Sequence, residues 1–311
     1  STRVRSSAAS DVYKRQPGMC KDIYDKYTQA QEVYKKASDI IGVDVAKLCF
    51  SSSAEKLNLT ANTQISILVT SLAICKVLEK YGIKPDVCTG LSLGEYTALI
   101  EGGYIGFDNG VKLVKNRGDI MQSCDFGDEY KMEAVIGLES SKIEEICKKV
   151  DGFVVPANYN YSMQTVISGY KNSVSKASEL LKQAGAKRVI ELNTAGPFHT
   201  EKLKDASEKL KNYIDNKEFK KGDIEVLKNI DATPYKEDDD FRSILSAHMI
   251  NPVRMDKIID KLNNENVDLY VEVGPGHTLS GFVKKQLKNA NVINIDSVEA
   301  IEKLVDLVKE N

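Results

Sequence analysis

The sequence predicts an α/β protein in which helices cover both faces of a mainly parallel sheet, with a smaller βαββαβ unit inserted into it. Two observations predict this class. Strand-like apolar runs alternate with segments of helical periodicity along most of the chain, which is typical of a parallel sheet. Between residues 131 and 192 the alternation changes, because two strand-like runs follow one another without a helix between them.

The elements of the larger unit follow from periodicity and capping residues. A helix is predicted over residues 60–78, where apolar residues recur at helical spacing after the N-cap candidates of residues 60–63 and before Gly82 and Pro85. After the inserted unit, the pattern predicts strands at residues 224–230, 269–273 and 292–295, and helices around residues 241–249 and from residue 298.

The inserted unit is predicted to contain, in order, a strand, a helix, two strands, a helix and a strand. These elements are assigned to residues 132–138, 142–150, 153–157, 164–169, 173–184 and 187–192. This order is the ferredoxin-like arrangement. We therefore expect a small domain over residues 129–193 within a large domain formed by residues 17–128 and 194–311, with the ligand site in the cleft between them.

A G-x-S-x-G pentapeptide occupies residues 90–94, with Ser92 at its centre. A strand-like run precedes it at residues 87–89 and a helical segment follows from Glu95. In this context the pattern indicates a nucleophile elbow, so the large domain is predicted to be hydrolase-like. The tight turn exposes the serine hydroxyl, and the helix N-terminus supplies N–H donors to an oxyanion. A chance Gly-Ser turn is the alternative, which the flanking strand and helix disfavour.

A serine nucleophile needs a base, and the chain contains three histidines. His199 lies in a loop after the strand-like residues 188–192, which is a good place to hold an imidazole. His277 follows a Gly-Pro-Gly turn and is more simply a turn or helix-capping residue. His248 lies within a predicted helix and is more simply a partly buried helix residue. We therefore favour His199 as the base.

The elbow around Ser92, the loop that contains His199 and three further segments make the chain similar to the malonyl-CoA:acyl carrier protein transacylases of bacterial fatty-acid synthesis. The resemblance extends from about Gly18 to about Ile301, and its motifs lie at residues 90–96, 117–122, 197–199, 251–254 and 273–276. It implies that Ser92 is the acylated nucleophile and His199 its base. It also implies that Arg117 anchors the malonyl carboxylate and that the backbone N–H of Leu93 is one oxyanion donor.

Four further site residues are implied by the same resemblance. The family often has glutamine where this chain has His248, and the backbone carbonyl at that position orients the catalytic histidine. Because a carbonyl does not depend on the side chain, His248 is expected to keep this role. Gln64, Asn158 and Asn160 resemble residues that line the cleft, although a polar β-turn explains the two asparagines equally well.

The chemistry of arginine supports the role implied for Arg117. A guanidinium presents a planar fork of donors that holds a carboxylate through two hydrogen bonds, so an arginine beside an acylated serine would select diacid thioesters. Without the resemblance, a solvated helix arginine would be the simpler interpretation of residues 111–117. Ser92 is then expected to take a malonyl group from malonyl-CoA and pass it to the phosphopantetheine thiol of acyl carrier protein. Malonyl and methylmalonyl groups both remain open.

Residues 1–16 depart from the family, which begins with an apolar strand and a Pro-Gly-Gln-Gly-Ser-Gln loop that supplies a second oxyanion donor. This segment shows no apolar run. We expect it to be non-native or disordered, with the first strand and the oxyanion loop absent; a mitochondrial transit peptide is a formal alternative. Since loss of one oxyanion donor costs about 2.7–4 kcal/mol of transition-state stabilisation, we expect weak activity.

Composition excludes several other classes. The 43 basic residues nearly balance the 45 acidic ones, so the excess of positive charge typical of nucleic-acid binding is absent. No run approaches 18 consecutive apolar residues, which argues against a membrane span. The six cysteines form no C-x-x-C pair and, with three scattered histidines, offer no zinc framework. We expect a cytoplasmic monomer without metal or cofactor, acting on malonyl-CoA and acyl carrier protein.

Two alternatives remain. A serine thioesterase or hydrolase would pass the acyl group to water, but Arg117 and the lack of a triad acid in a motif argue against it. A catalytically impaired module that binds carrier protein is the second, because the oxyanion loop is expected to be absent. Carrier proteins of this kind are acidic, so a lysine-rich surface could steer docking, although a solvated helix face explains it equally well. Its residues are Lys209, Lys211, Lys217, Lys220 and Lys221.

Overall fold

The computed structural model describes residues 4–8, 16–194, 196–214 and 219–309 of the 311-residue chain. The described strands form two five-stranded sheets, with helices packed around them. The predicted α/β class is therefore confirmed. Residues 9–15 lie outside the described residues, so the expected absence of the oxyanion loop falls outside them too. Lys217 also lies outside the described residues.

The bounds of the elements are as follows. The strands are β1 (Val4–Ala8), β2 (Val87–Gly90), β3 (Tyr130–Ile136), β4 (Val154–Tyr161), β5 (Gln164–Tyr170), β6 (Arg188–Leu192), β7 (Glu225–Val226), β8 (Val253–Arg254), β9 (Leu269–Val273) and β10 (Val292–Ile295). The helices are α1 (Lys21–Lys26), α2 (Thr28–Ile41), α3 (Val45–Ser51), α4 (Ala54–Leu57), α5 (Thr60–Lys80), α6 (Leu93–Glu101), α7 (Phe107–Gln122), α8 (Ser140–Lys149), α9 (Lys171–Gln183), α10 (Lys204–Tyr213), α11 (Phe241–His248), α12 (Met255–Asn264), α13 (Thr278–Gln286) and α14 (Val298–Lys309), with a 3₁₀ turn at Glu201–Leu203.

The larger sheet is parallel throughout and has the strand order β10-β9-β1-β2-β7. Strand β1 lies at its centre, where Ser6 is in register with Cys88 of β2 and with Val271 of β9. The expectation that the first strand is absent is therefore wrong. A ladder uses only main-chain N–H and C=O groups, so two established neighbours can pair with a segment that has no apolar run.

The second sheet has the order β6-β3-β5-β4-β8. Its first four strands are antiparallel and, with α8 and α9, show the βαββαβ order that the sequence predicts for residues 131–192. Strand β8 was not predicted; it comes from the later part of the chain and pairs parallel with β4 through Asn158 and Val253. The inserted unit is therefore tied to the following part of the chain by backbone hydrogen bonds.

Helix α5 is the central core helix. By length and composition it is the one helix in the described part of the chain that could cross a membrane, with a mean hydropathy of 1.4 over 18 residues. However, 89% of that window is buried inside the protein, and α5 packs against α2, α6 and α7. Its apolar composition is explained by this burial, because a helix that is enclosed on every side has no polar face.

The loop after β7 brings a polar residue to the edge of the larger sheet. The strand predicted at residues 224–230 spans only Glu225–Val226, because the chain then turns. The Lys228 N–H donates to the Thr233 carbonyl and the Ala232 N–H donates to the Lys228 carbonyl. This turn holds Asn229, which is fully buried, against the β2–α6 connection.

Candidate active site

The turn between β2 and α6 is a strained nucleophile elbow. Ser92 has φ 55° and ψ −102°, a backbone conformation that residues other than glycine rarely adopt. The turn is tight enough that a Cβ on Gly90 would lie 2.3 Å from the carbonyl carbon of Gly94. The backbone N–H of Leu93 is at the first position of α6, and no described residue accepts a hydrogen bond from it. The elbow therefore places a serine hydroxyl beside a free N–H donor.

The structure brings His199 to this serine. Its Nε2 lies 2.8 Å from Ser92 Oγ, and its Nδ1 lies 3.0 Å from the backbone carbonyl oxygen of His248. Because a carbonyl can only accept, the proton is on Nδ1 and the lone pair of Nε2 faces the serine O–H. His199 has φ 59°, and the following Thr200 donates its hydroxyl to the Pro197 carbonyl at 2.7 Å, which closes the turn that presents the imidazole.

The imidazole of His199 is kept neutral. Burial, followed by the positive charge of Arg117, lowers the pKa of His199 from 6.5 to about 4, although hydrogen bonds to the backbone of His248 and Asn251 oppose this shift. At neutral pH the group is therefore unprotonated. This is the protonation state that a general base requires.

Arg117, on α7, lies within reach of the same serine. Its Nη2 donates to Ser92 Oγ at 3.1 Å, its Nη1 donates to the side-chain oxygen of Gln64 on α5, and its guanidinium carbon lies 5.1 Å from the centre of the Tyr96 ring. Only 1% of the arginine is exposed, and within the described part of the chain it forms no ion pair. A buried cation without a carboxylate partner is unusual, because isolated buried charges are costly.

Comparison with known proteins agrees with this geometry. The family model described as the acyl transferase domain matches residues 16–306. The chain belongs to this family. The malonyl CoA-acyl carrier protein transacylase of Bacillus subtilis (strain 168) is 37% identical over 296 residues, which cover 94% of this chain and 93% of the relative. The resemblance stated from the sequence motifs is therefore confirmed.

Solved structures show the same similarity. A malonyl CoA-acyl carrier protein transacylase from Clostridium perfringens is 37% identical and has a TM-score of 0.93, with 100% of this chain and 98% of that chain covered. A malonyl-transacylase in complex with a type II PKS acyl-carrier protein is 29% identical, also with a TM-score of 0.93, and the match covers 99% of this chain and 100% of that one. The fold of this acyltransferase is therefore the fold of these enzymes.

A buried polar network behind the elbow was missed from the sequence. The amide of Asn229 accepts a hydrogen bond from the Ser92 N–H at 2.7 Å and donates to the Gly90 carbonyl at 2.6 Å. The carboxyl group of Glu95 lies next to Asn229 and 3.2 Å from His248 Nδ1. Sequence gave little signal, since Glu95 is typical of a first helical turn and Asn229 falls in a predicted strand.

The remaining candidates occupy different places in this acyltransferase. Gln64 contacts Arg117 and also donates to the sulfur of Met121 at 3.2 Å, so it lies at the site. Asn158 and Asn160 are buried on β4, and no hydrogen bond of their side chains to Ser92, His199 or Arg117 is present among the described residues. His277 is the N-cap residue of α13, as the turn interpretation predicts.

Metal ligands are not grouped in the part of the chain that the structure describes. No set of three or more His, Cys, Asp or Glu side chains there could hold a metal ion. The imidazole of His199 and the guanidinium of Arg117 each lie within hydrogen-bond distance of the Ser92 hydroxyl. A serine hydroxyl in contact with a neutral imidazole is the arrangement that nucleophilic catalysis requires.

Proposed function

We propose that this acyltransferase moves a malonyl group from malonyl-CoA to the phosphopantetheine thiol of acyl carrier protein through a malonyl-Ser92 intermediate. The observation that carries the proposal is the buried guanidinium of Arg117, 3.1 Å from the serine hydroxyl and without a carboxylate partner among the described residues. The names of the relatives, and the neighbour solved with an acyl-carrier protein, support the same donor and acceptor.

In the first half-reaction, Ser92 Oγ attacks the thioester carbonyl carbon while His199 Nε2 takes the hydroxyl proton. The carbonyl oxygen becomes an oxyanion, to which the Leu93 N–H donates. The C–S bond then breaks, and the CoA thiolate leaves with the proton from His199. In the second half-reaction the carrier thiol gives its proton to His199, attacks the malonyl-serine ester, and Ser92 recovers the proton.

Arg117 is proposed to bind the free carboxylate of the malonyl group. Two parallel N–H donors fit the two oxygens of a carboxylate, and Gln64 holds one of these donors in place. A hydrogen bond to a charged group contributes about 1.5–3 kcal/mol, which corresponds to about one to two powers of ten in affinity. Acyl groups that lack the carboxylate would leave the guanidinium buried and unpaired, so they are disfavoured.

A hydrolase or thioesterase of the triad type is less well supported. In a triad, a carboxylate holds the histidine, whereas His199 Nδ1 here donates to the peptide carbonyl of His248. The proposal of a catalytically impaired binding module is also weakened, because the first strand is present and Ser92 and His199 are in contact.

Mass spectrometry after brief exposure to malonyl-CoA tests the proposal. We expect a malonyl adduct on Ser92 in the wild type and none in Ser92→Ala. Holo acyl carrier protein should discharge the adduct much faster than water does. Arg117→Ala should lose the preference for malonyl-CoA over acetyl-CoA by about one to two powers of ten. Discharge to water at the same rate as to the carrier thiol would support a hydrolase instead.

The proposal also covers the oligomeric state, the compartment and the division into domains. We propose a monomer, because one chain supplies Ser92, His199 and Arg117 together. We propose action in a reducing compartment such as the cytoplasm, because all six cysteines are free thiols. We propose that residues 129–193 form a small domain within a large one, since they supply every strand of the second sheet except β8.

A further inference from the structure

One buried carboxyl group, that of Glu95, contacts two residues that in turn hold Ser92 and His199. Glu95 is fully buried on the first turn of α6. Its Oε1 accepts a hydrogen bond from the hydroxyl of Tyr235 at 2.5 Å, and its Oε2 accepts from the Asn229 N–H at 3.2 Å. The same Oε2 lies 3.2 Å from His248 Nδ1. A buried carboxyl with three partners fixes the positions of all of them.

The first branch from Glu95 leads to the nucleophile. Asn229, whose backbone N–H is held by the carboxyl group, uses its side-chain oxygen to accept the Ser92 N–H at 2.7 Å. Its amide nitrogen donates to the Gly90 carbonyl at 2.6 Å. Asn229 therefore joins the residues on either side of the strained turn, and it supports the unfavourable backbone conformation of Ser92.

The second branch leads to the base. His248 is the last residue of α11, and its side chain is 1% exposed. Its imidazole contacts Glu95, whereas its backbone carbonyl accepts the hydrogen bond from His199 Nδ1 at 3.0 Å. The position of the carbonyl that orients the base is therefore tied to the carboxyl group on α6.

We propose that Glu95 is a positioning residue that fixes Ser92 Oγ and His199 Nε2 at hydrogen-bond distance, through Asn229 on one side and the His248 side chain on the other. The inference rests on the proposed roles of Ser92 and His199. Neither Glu95 nor the His248 imidazole touches the reacting atoms; each acts through another residue.

The 3.2 Å contact between Glu95 Oε2 and His248 Nδ1 is not an ion pair, because the imidazole is neutral. Burial raises the pKa of Glu95 to about 7, although Tyr235, Asn229 and Arg117 oppose the shift. Burial, with the charges of His199 and Arg117, holds the pKa of His248 well below its usual value. A neutral imidazole with its proton on Nδ1 can donate to Glu95 over this distance. Its Nε2 is then an acceptor, and it has no partner among the described residues.

Substitutions at residue 248 separate the side chain from the carbonyl, because every residue retains the peptide carbonyl. His248→Gln keeps a side-chain donor for Glu95, so we expect acylation of Ser92 at a rate close to that of the wild type. His248→Ala removes the donor and should slow acylation by about ten- to a hundred-fold, since small misplacements of reacting groups have effects of this size. The KM for malonyl-CoA should stay unchanged, because Arg117 is untouched.

The double variant tests whether the two side chains act together. Glu95→Gln alone should also slow acylation, and Glu95→Gln combined with His248→Ala should be no slower than the slower single variant. Glu272→Gln is the matched control, since Glu272 is another buried glutamate and accepts the backbone N–H groups of Leu279 and Ser280. The control should lower thermal stability but leave acylation by the folded protein unchanged.

Labelling of Ser92 with a fluorophosphonate keeps this test independent of the substrate. The reagent reports whether the serine is activated by its base, even if malonyl-CoA is not the donor. We expect labelling to fall in Glu95→Gln and His248→Ala and to recover in His248→Gln. Wild-type labelling without any malonyl adduct would count against the proposed function alone. Unchanged labelling in folded His248→Ala, or effects of the two substitutions that add, would overturn the positioning role.

Discussion

Arg117 acts on both members of the catalytic pair. Its Nη2 donates to Ser92 Oγ, and its charge is the second cause, after burial, of the low pKa of His199. A cation at this place would therefore serve the substrate selection proposed above, and its charge also favours the unprotonated form of His199. The two effects can be separated, because one depends on the acyl group and the other on pH.

Replacement of Arg117 should shift the pH dependence of Ser92 acylation. A general base works only when neutral, so the rate falls as the pH drops through the pKa of His199, which is about 4 in the wild type. In Arg117→Ala the positive charge is gone, and the pKa should rise toward its usual value of 6.5. The acid limb of the rate profile should therefore move to higher pH, as measured with a fluorophosphonate that carries no carboxylate.

Arg254→Ala is the control for this measurement. Arg254 is half-buried, pairs with Asp256 at 2.8 Å and is not among the groups that shift the pKa of His199. Its loss should leave the acid limb in place. An acid limb at the same pH in Arg117→Ala as in the wild type would show that the arginine charge does not act on the base.

At the scale of elements, the β2–α6 connection depends on glycine at position 90. A Cβ there would lie 2.3 Å from the carbonyl carbon of Gly94, and backbone cannot move aside as a flexible side chain can. Gly90→Ala should therefore destabilise the protein by about 1–3 kcal/mol or more and abolish acylation, because the elbow opens. Denaturant unfolding and labelling of Ser92 would measure the two effects.

Gly281→Ala provides the comparison within a helix. Gly281 is inside α13, and a Cβ there would meet no atom within 4 Å. The substitution should stabilise the protein by about 0.4–1 kcal/mol, since alanine has less backbone freedom to lose on folding. If Gly90→Ala behaved like Gly281→Ala, the elbow would be less tight than the structure indicates.

Strands with a strong apolar pattern could be predicted from the sequence, whereas β1, which lacks such a pattern, could not. Strands β9 and β10 were predicted with the bounds observed, because four of the five residues of β9 and three of the four residues of β10 are apolar or aromatic. Strand β1 has the sequence Val-Arg-Ser-Ser-Ala and was missed, since its pairing is decided by β2 and β9 and not by its own residues. Tertiary context overrides local propensity at this position.

The same distinction holds for the site. Ser92 and its elbow form a local pattern, so a few consecutive residues are enough to predict them. The contacts of Arg117 with Gln64 and of Ser92 with Asn229 join residues that lie 53 and 137 positions apart. Only the fold brings such residues together. The resemblance to a family could therefore suggest Arg117, whereas nothing in the sequence indicated the contacts of Glu95 and Asn229.

At the scale of the whole molecule, β1 connects the two halves of the larger sheet. It pairs with β2, which leads to the elbow, and with β9 on the other side. Ser6→Pro would remove a backbone N–H from this central strand and should destabilise the protein by about 3 kcal/mol or more. Ser6→Ala is the control, because it keeps the backbone N–H, and it should destabilise the protein less than Ser6→Pro does. Equal unfolding midpoints for the two variants would contradict the central placement of β1.

Three lysines of the lysine-rich surface are exposed in the described part of the chain. Lys209 is exposed on α10, and Lys220 and Lys221 are exposed in the segment before β7. Only one exposed ion pair, between Lys221 and Glu237 at 3.8 Å, is found for these three lysines in the described part of the chain. Their charge is therefore largely available to an acidic partner, and long-range attraction of this kind acts mainly on the rate of association.

Replacement of Lys209, Lys220 and Lys221 by alanine should lower kcat/KM for acyl carrier protein at low salt. The rate of Ser92 acylation by malonyl-CoA should not change, because none of these lysines contacts the site. The difference from the wild type should shrink as ionic strength approaches 0.15 M, where the screening length is about 8 Å. Alanine at Lys142 and Lys149, which pair with Glu145 on α8, is the control for lost surface charge. If the triple variant and the double control variant had equal kcat/KM values for acyl carrier protein at low salt, the carrier would bind on another surface.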